Sequence, residues 1–243
     1  MLSREFLTKR GYCCGHGCLM CPYIPKHIEG NTVMKKNILI VSALEVETQG
    51  KLDDWDVFYT GVGKVTAPFS LTHKLSSLLD RRQNCSCEVT CDCPMVNNIP
   101  YNLIINYGTA GSRKIKKKTL VDCTKFVQRD MDVTGLGFLR GETPFEQDPP
   151  VIIQPQHIDF NPIGRNATCG TGDCFVEDKS QYYGEVVDME AYALAKVCYN
   201  YGVPFISFKY ITDGADEQAH EDWEANLADG IVEFQKKVLD KLQ

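Results

Sequence analysis

The hydrophobic pattern of the chain changes at residue 35. From there on, short apolar runs of strand length alternate with longer amphipathic stretches. Strands that alternate with helices form mostly parallel sheets, so we predict an α/β fold whose sheet is covered by helices on both faces. The predicted strands are 37–43, 56–60, 101–106, 119–127, 151–154 and 204–210, and the predicted helices are 64–80, 188–201 and 221–242.

The pattern also predicts the domain organisation. Residues 1–34 form a Cys-rich appendage, and within it a stretch rich in Pro and Gly resembles a connector. Residues 35–243 have the length of one layered domain. A Cys-rich insertion at 84–98 interrupts this domain between a predicted helix and a predicted strand, where it would project from the rim of the sheet.

Charge and hydropathy exclude two classes of partner. The net charge of −6 argues against nucleic acid as a partner, because affinity for phosphate backbones needs a basic field. No apolar run is long enough to span a bilayer, and the first ten residues lack the apolar core of a signal peptide. We therefore expect a cytoplasmic protein that does not associate with membranes.

Two groups of cysteines account for eight of the twelve in the chain. In a reducing compartment each group is either a metal site or a set of free thiols. The first group has glycines between its cysteines, so its thiolates could converge on a structural zinc ion or iron–sulfur centre. The segment 10–23 also resembles a short cysteine module of a family of unknown function. The first group comprises Cys13, Cys14, Cys18 and Cys21, and the second, which is less specific, comprises Cys85, Cys87, Cys91 and Cys93.

Carboxylates stand at the ends of two predicted elements. Glu190 opens the amphipathic helical run, and Asp213 follows the apolar strand after Pro204. Both positions face the rim of an α/β sheet, where ligands bind. The small residues of 106–112 follow a buried strand and would let a ligand approach backbone N–H groups, although a simple tight turn is the alternative. The glycines of 60–65 lack the spacing of a phosphate loop and indicate a strand-to-helix turn.

Seven segments in order resemble the purine nucleoside phosphorylase and nucleosidase superfamily, and within it the methylthioadenosine/S-adenosylhomocysteine nucleosidases. The resemblance implies a three-layer α/β/α sandwich with a mixed, mostly parallel sheet, and a homodimer. It also implies hydrolysis of the N-glycosidic bond of an adenine nucleoside, with no cofactor for catalysis. The segments are 42–47, 60–65, 107–111, 130–134, 172–175, 188–191 and 211–216.

The resemblance also implies roles for individual residues. Glu47 matches the carboxylate that activates water, Asp213 the acid that protonates purine N7, and Glu190 the acceptor of the ribose hydroxyls. The implied substrate-binding residues are Met189 against the sugar, Phe175 and Val176 at the adenine, Thr109, Ala110 and Gly111 beside the ribose, and Thr212. The chain departs from the family at Asp188, where Glu is usual, and at Lys209, where Arg is common.

The chemistry requires such carboxylates even without the resemblance. Cleavage of a ribosyl C1′–N9 bond needs an acid to neutralise the base and a carboxylate to direct water to the opposite face of the sugar. We expect desolvation to raise the pKa of Asp213 so that it stays protonated, while Glu47 remains ionised. For each carboxylate alone, a helix cap or a solvated surface group is the alternative.

Two other functions stay open from the sequence. A phosphorylase of this fold needs a phosphate-binding turn with arginine, whereas residues 42–47 read Ser-Ala-Leu-Glu-Val-Glu, and a carboxylate there repels phosphate. A nucleoside-binding or scaffold protein without turnover is the second alternative. The 5′ substituent is also open, because Phe138 and Phe145 suit a thioether whereas Arg140 suits a phosphate or carboxylate. We expect His73, His157 and His220 to be surface or packing residues.

Overall fold

The computed structural model describes residues 4–16, 23, 29–30, 37–78, 99–146, 151–153, 158 and 160–242. The helices are α1 (Arg4–Lys9), α2 (Glu45–Thr48), α3 (Gly63–Ser77), α4 (Ala191–Tyr201) and α5 (Ala219–Lys237). The strands are β1 (Ile38–Ser42), β2 (Asp56–Tyr59), β3 (Leu103–Gly111), β4 (Leu120–Gln128), β5 (Val151–Ile153), β6 (Ala167–Thr171), β7 (Val186–Asp188) and β8 (Phe205–Asp213).

The strands form one sheet whose centre closes on itself. Strand β3 pairs with β8, β8 with β4, β4 with β6, β6 with β7, and β7 returns to β3. Strands β1 and β2 extend the sheet beyond β3, and β5 extends it beyond β4. Among the described strands, five pairings are parallel and three are antiparallel. The prediction of a mixed, mostly parallel sheet is confirmed, and the closed ring of five strands is an addition to it.

Helices cover both faces of this sheet, which confirms the three-layer α/β/α arrangement. Successive side chains of a strand point to opposite faces. Leu39 and Val41 of β1 therefore pack in the cluster that contains α3 and α4, whereas Ile38 and Ile40 pack in the cluster that contains α5. Burial on both faces explains why β1 is a continuous apolar run rather than an alternating one.

Two central strands are longer than predicted. Strand β3 continues to Gly111 rather than ending at 106, so the alternative of a simple tight turn over 106–112 is wrong, and β8 continues to Asp213. Small residues in β3 reflect close packing rather than a turn, because a Cβ on Gly111 would collide with the Asp213 carboxylate. The two strands thus end at Gly111 and at the polar residue Asp213, which lie close to each other.

The hydrophobic pattern did not predict two short strands, β6 and β7. Strand β6 contains Gly170, whose missing side chain makes room for the Tyr183 carbonyl. Strand β7 has only three residues and takes in Asp188, so helix α4 begins at Ala191 rather than at Asp188 as predicted. Neither strand is a run of β-branched residues long enough to give a period-2 signal.

Three apolar side chains in the described part of the appendage are buried. Leu7, Cys13 and Tyr23 are buried, and the Tyr23 hydroxyl donates to the Leu7 carbonyl at 3.0 Å. Residues 31–36 and 79–98 lie outside the described ranges, so the boundary at 34 and the insertion at 84–98 stay predictions. In the part of the chain that is described, no helix has the length and apolar character needed to cross a membrane.

Candidate active site

A cavity of about 300 Å³ lies where β1, β3, β7 and β8 end. Helix α5 and the segment after β6 close its sides. A volume of this size accommodates a small ligand. Its walls are formed by Ala43, Leu44, Glu47, Val62, Thr109, Ala110, Gly111, Arg129, Cys174, Phe175, Val176, Val187, Asp188, Met189, Glu190, Asp213, His220 and Trp223.

Glu47 is held in the one-turn helix α2 directly after β1. The Ser42 hydroxyl donates to Oε2 at 3.0 Å and the Leu44 N–H at 3.2 Å. Thr109 of β3 donates to Oε1 twice, from its N–H at 2.9 Å and from its hydroxyl at 3.0 Å. These four donors match the acceptor capacity of a carboxylate and fix the orientation of the Glu47 side chain.

Asp213 ends β8 and is buried. The Thr212 hydroxyl donates to Oδ2 and the Ala215 N–H donates to Oδ1, both at 2.9 Å. Burial raises the pKa of Asp213 despite these two donors. Asp213 therefore has the tendency to hold a proton that a general acid needs.

Glu190 occupies the N-cap position of α4. Its Oε1 accepts the Gly63 N–H at 3.0 Å, so the glycine turn before α3 holds this carboxylate. Gly63 has φ of +89°, a conformation that favours glycine. Burial, and after it the negative charge of Asp188, raises the pKa of Glu190 to about 7.

The site also contains a buried ion pair. The Lys209 ammonium contacts the Asp188 carboxylate at 2.8 Å, and both side chains are buried. Burial opposes both charges, yet their attraction raises the pKa of Lys209 and lowers that of Asp188. A Cβ on Gly108 would lie 3.2 Å from Lys209 Nζ and 3.3 Å from Glu47 Oε1, so glycine lets the ammonium and Glu47 share this part of the site.

The segment that follows β6 is fixed by Arg129. The buried Arg129 guanidinium donates to the Gly172 carbonyl at 2.9 Å, and it also donates to the Cys174 carbonyl and to the Cys174 thiol. Because the next two residues are Phe175 and Val176, this clamp sets the position of the cavity wall that they form.

The structure brings the predicted site residues together. Nine of the ten predicted catalytic and substrate-binding residues line the cavity, and Thr212 lies behind it with its hydroxyl on Asp213. Their roles stay predictions.

Sequence reasoning missed two residues that line the cavity, Arg129 and Trp223. It predicted His220 as a surface or packing residue. His220 is indeed exposed, and it also lines the cavity, with its ring centroid 6.3 Å from that of Phe175. His220 and Trp223 are three residues apart on an amphipathic helix, and this spacing could have indicated that both lie on the same face of the helix.

The predicted metal ligands are described only in part. Cys13 is buried and Cys14 is half-buried, and Cys18 and Cys21 lie outside the described residues. Within the described ranges, no group of three or more His, Cys, Asp or Glu side chains could hold a metal ion. The metal site of the appendage therefore stays a prediction.

Comparison with known proteins identifies relatives of the chain. Residues 46–242 match the family model of the phosphorylase superfamily. A 5′-methylthioadenosine/S-adenosylhomocysteine nucleosidase of an Exiguobacterium species is 29% identical over 163 residues, covering 60% of this chain and 70% of that protein. The nucleosidase of the same name from Haemophilus ducreyi is 28% identical over 220 residues, covering 80% of this chain and 85% of that protein.

Solved structures share the fold. A Helicobacter pylori nucleosidase mutant with 5′-methylthioadenosine in its active site has a TM-score of 0.64 at 20% identity, covering 86% of this chain and 100% of that one. A futalosine hydrolase mutant from the same organism has a TM-score of 0.63 at 20% identity, covering 84% of this chain and 99% of that one. Both likenesses confirm the predicted fold class.

Proposed function

Because the chain belongs to the phosphorylase superfamily, we propose that it hydrolyses the N-glycosidic bond of an adenine nucleoside such as methylthioadenosine or S-adenosylhomocysteine. The products are the free base and the ribose sugar. The observation that carries this proposal is that Glu47, Glu190 and Asp213 line one cavity in three different environments. The nucleosidases among the relatives support the same reaction.

In this reaction Asp213 is the general acid. Departure of adenine leaves negative charge on the base, and a protonated carboxyl group beside N7 neutralises it. Burial raises the pKa of Asp213, which favours the protonated form that the reaction needs. The Ala215 N–H holds Oδ1, so the carboxyl group is fixed in one orientation towards the base.

On the other side of the sugar, Glu47 activates water. The sugar develops positive charge as the bond breaks, and a carboxylate that holds a water molecule on the opposite face delivers it to C1′. Two of the four donors to Glu47 are hydroxyl groups, and a hydroxyl can rotate to admit water where a backbone N–H cannot. Glu190 accepts the ribose hydroxyls, and in its ionised form it also adds negative charge near the developing cation.

The charges around the cavity favour water over phosphate as the acceptor. Arg129 lines the cavity, and its two terminal nitrogens donate to backbone carbonyls and to the Cys174 thiol. Lys209 is paired with Asp188. A phosphate ion at the position of the nucleophile would face Glu47. Hydrolysis is therefore favoured over phosphorolysis.

For the 5′ substituent we propose a thioether. Ala43, Leu44, Val62 and Trp223 form an apolar part of the cavity wall that suits it. Arg140, which would suit a phosphate, instead donates to the carbonyls of Arg129 and Ser180 and stacks over a tyrosine ring.

A homodimer is also proposed, because α3 and the segment 136–145 expose large apolar side chains. Val65 and Phe69 of α3 are exposed, and so are Leu136 and Phe145, the latter with 93% of its surface in water. A separate groove of about 510 Å³ is lined by α3, α4, Gln128, Met131, Thr143 and Glu146. Apolar surface of this kind marks protein interfaces. The double variant Phe69→Glu/Phe145→Glu should sediment as a monomer, while Val232→Glu on α5 should not alter the mass.

We propose that the appendage binds one zinc or iron centre through Cys13, Cys14, Cys18 and Cys21, and that it does so for structure and not for catalysis. Elemental analysis of anaerobically purified protein should find about one metal per chain, lost in Cys18→Ser/Cys21→Ser. That variant should still cleave nucleoside. A folded, metal-free and inactive variant would refute the structural role.

A cytoplasmic location is proposed as well. It is in keeping with the thiols of Cys123, Cys169 and Cys198, which are buried and form no disulfide among the described residues.

One assay tests the reaction. Purified protein is incubated with methylthioadenosine, S-adenosylhomocysteine, adenosine, AMP and inosine, each with and without phosphate, and the free base and the sugar are measured. We expect adenine and free ribose sugar at the same rate in both buffers, with the thioether nucleosides cleaved fastest. A phosphate-dependent rate with a ribose 1-phosphate product would assign the chain to the phosphorylases. No turnover together with nucleoside binding would assign it to the binding proteins.

A further inference from the structure

Helix α5 contacts the machinery around Glu47 through Trp223. The indole N–H of Trp223 donates to the Thr109 hydroxyl oxygen at 2.9 Å, and the same hydroxyl donates to Glu47 Oε1 at 3.0 Å. Trp223 and Thr109 are 114 residues apart, and both line the cavity. A chain of two hydrogen bonds, which we name the Trp223 relay, thus joins α5 to the carboxylate that activates water.

The chemistry of the indole fixes the direction of this relay. An indole N–H only donates, whereas a threonine hydroxyl both donates and accepts and is free to rotate. Because Trp223 occupies an acceptor position of the Thr109 oxygen, the hydroxyl proton is directed to Glu47. The relay therefore runs from Trp223 through Thr109 to Glu47 and not in reverse.

Among the four donors to Glu47, the Thr109 hydroxyl is the side-chain donor that lies on the cavity side. The two backbone donors, from Leu44 and Thr109, are fixed by α2 and β3. The Ser42 hydroxyl is fully buried and does not line the cavity, whereas Thr109 does. Trp223, which donates to the Thr109 hydroxyl, thus holds the side-chain donor on the cavity side of Glu47.

Contacts on both sides of Trp223 hold α5 in place. Asp222 forms an ion pair with Lys117, in the loop between β3 and β4. One turn further along the helix, the Asn226 amide donates to the Thr212 carbonyl of β8 at 2.8 Å. Trp223 is therefore fixed relative to the two strands that carry Thr109 and Asp213, as a positioning group requires.

We propose that Trp223 is a positioning residue for the hydrolysis: through the Thr109 hydroxyl it orients Glu47 for the activation of water. This inference rests on the proposed function, and it adds a residue whose effect should fall on the turnover step. An apolar wall residue would instead affect only how tightly the substrate binds.

A double-mutant cycle tests the relay. Trp223→Phe keeps an aromatic wall but removes the donor, so kcat for adenine release should fall about tenfold while KM changes less than about twofold. Thr109→Val should lower kcat more. Because Trp223 acts through Thr109, the double variant should be no slower than Thr109→Val alone. Trp55→Phe, the change at the second tryptophan of the chain, is the matched control and should keep the kcat of the unmodified chain.

Fluorescence reports the hydrogen bond independently of activity. In the Trp55→Phe background Trp223 is the sole tryptophan, and Thr109→Val should shift its emission because the indole N–H loses its acceptor. An unchanged kcat in Trp223→Phe, additive losses in the cycle, or no emission shift would each overturn the relay while leaving the hydrolysis established. A chain that releases no base from any nucleoside would overturn the proposed function and the catalytic role of the relay together, even if the emission shift still reported the hydrogen bond.

Discussion

Glu47 and Asp213 both line the cavity but differ in the number of hydrogen-bond donors that they accept. Glu47 accepts four hydrogen bonds from protein groups, two on each oxygen. Asp213 is buried to a similar degree but accepts two, and burial raises its pKa. The proposed roles follow this difference, because Glu47, with four donors, is the proposed base and Asp213, with two, is the proposed acid. Residues of β1, of the start of α2 and of β3 supply the donors to Glu47, whereas Asp213 accepts its two from Thr212 and Ala215, which adjoin it in the chain.

The largest effect should come from Glu47→Gln. The amide NH₂ would face two of the four donors, so the variant loses the base and also gains a conflict between donors. We expect kcat to fall by at least about a hundredfold and the free energy of unfolding to fall by about 1–3 kcal/mol. Adenine release and urea unfolding measure the two quantities. A folded variant that kept nearly normal adenine release would show that Glu47 does not activate water.

Asp213→Asn should lose as much activity but less stability. Asn keeps an oxygen for the Ala215 N–H or the Thr212 hydroxyl, so at most one donor loses its acceptor. We expect at least about a hundredfold loss of kcat, with a fall in unfolding free energy smaller than that of Glu47→Gln. Equal losses of stability in the two variants would contradict the difference in donor number.

Much of this arrangement could be predicted from the sequence, and the reason is local. Buried strands such as β1 and β8 show as apolar runs, and Glu47, Glu190 and Asp213 stand in short segments whose order along the chain resembles a known superfamily. The contacts that tune these carboxylates could not be predicted in the same way. Gly63 reaches Glu190 across 127 residues and Trp223 reaches Thr109 across 114, and no period of 2 or 3.6 residues records such contacts.

Local misreadings had a related cause. Gly108 and Gly111 resembled a turn because glycine permits one, whereas in the fold they keep β3 clear of Glu47, Lys209 and Asp213. A glycine that makes room for a distant side chain looks the same in the sequence as a glycine that bends the backbone. The distinction requires the partner strand to be in place.

A third carboxylate extends the comparison to the dependence of stability on pH. The pKa of Glu190 is raised from 4.5 to about 7, so the folded chain favours its neutral form. The stabilising contribution is then complete below 4.5 and is lost as the pH rises through about 7. We expect Glu190→Gln, which is neutral throughout, to gain stability relative to the unmodified chain across that interval. Thermal unfolding of both proteins from pH 5 to 8 measures this, and parallel curves would contradict the raised pKa.

The smallest effects should come from removing one donor at each carboxylate. Ser42→Ala leaves Glu47 with three of its four donors, whereas Thr212→Val leaves Asp213 with one of two. Losing a donor to the charged form raises the pKa of a carboxylate, and the loss matters more where fewer donors remain. Thr212→Val should therefore move the alkaline limb of the pH–rate profile to higher pH, because Asp213 stays protonated longer. Ser42→Ala should leave that limb in place and lower kcat only about two- to threefold. If Thr212→Val left the alkaline limb in place, or if Ser42→Ala displaced it, donor number would not be what separates the base from the acid.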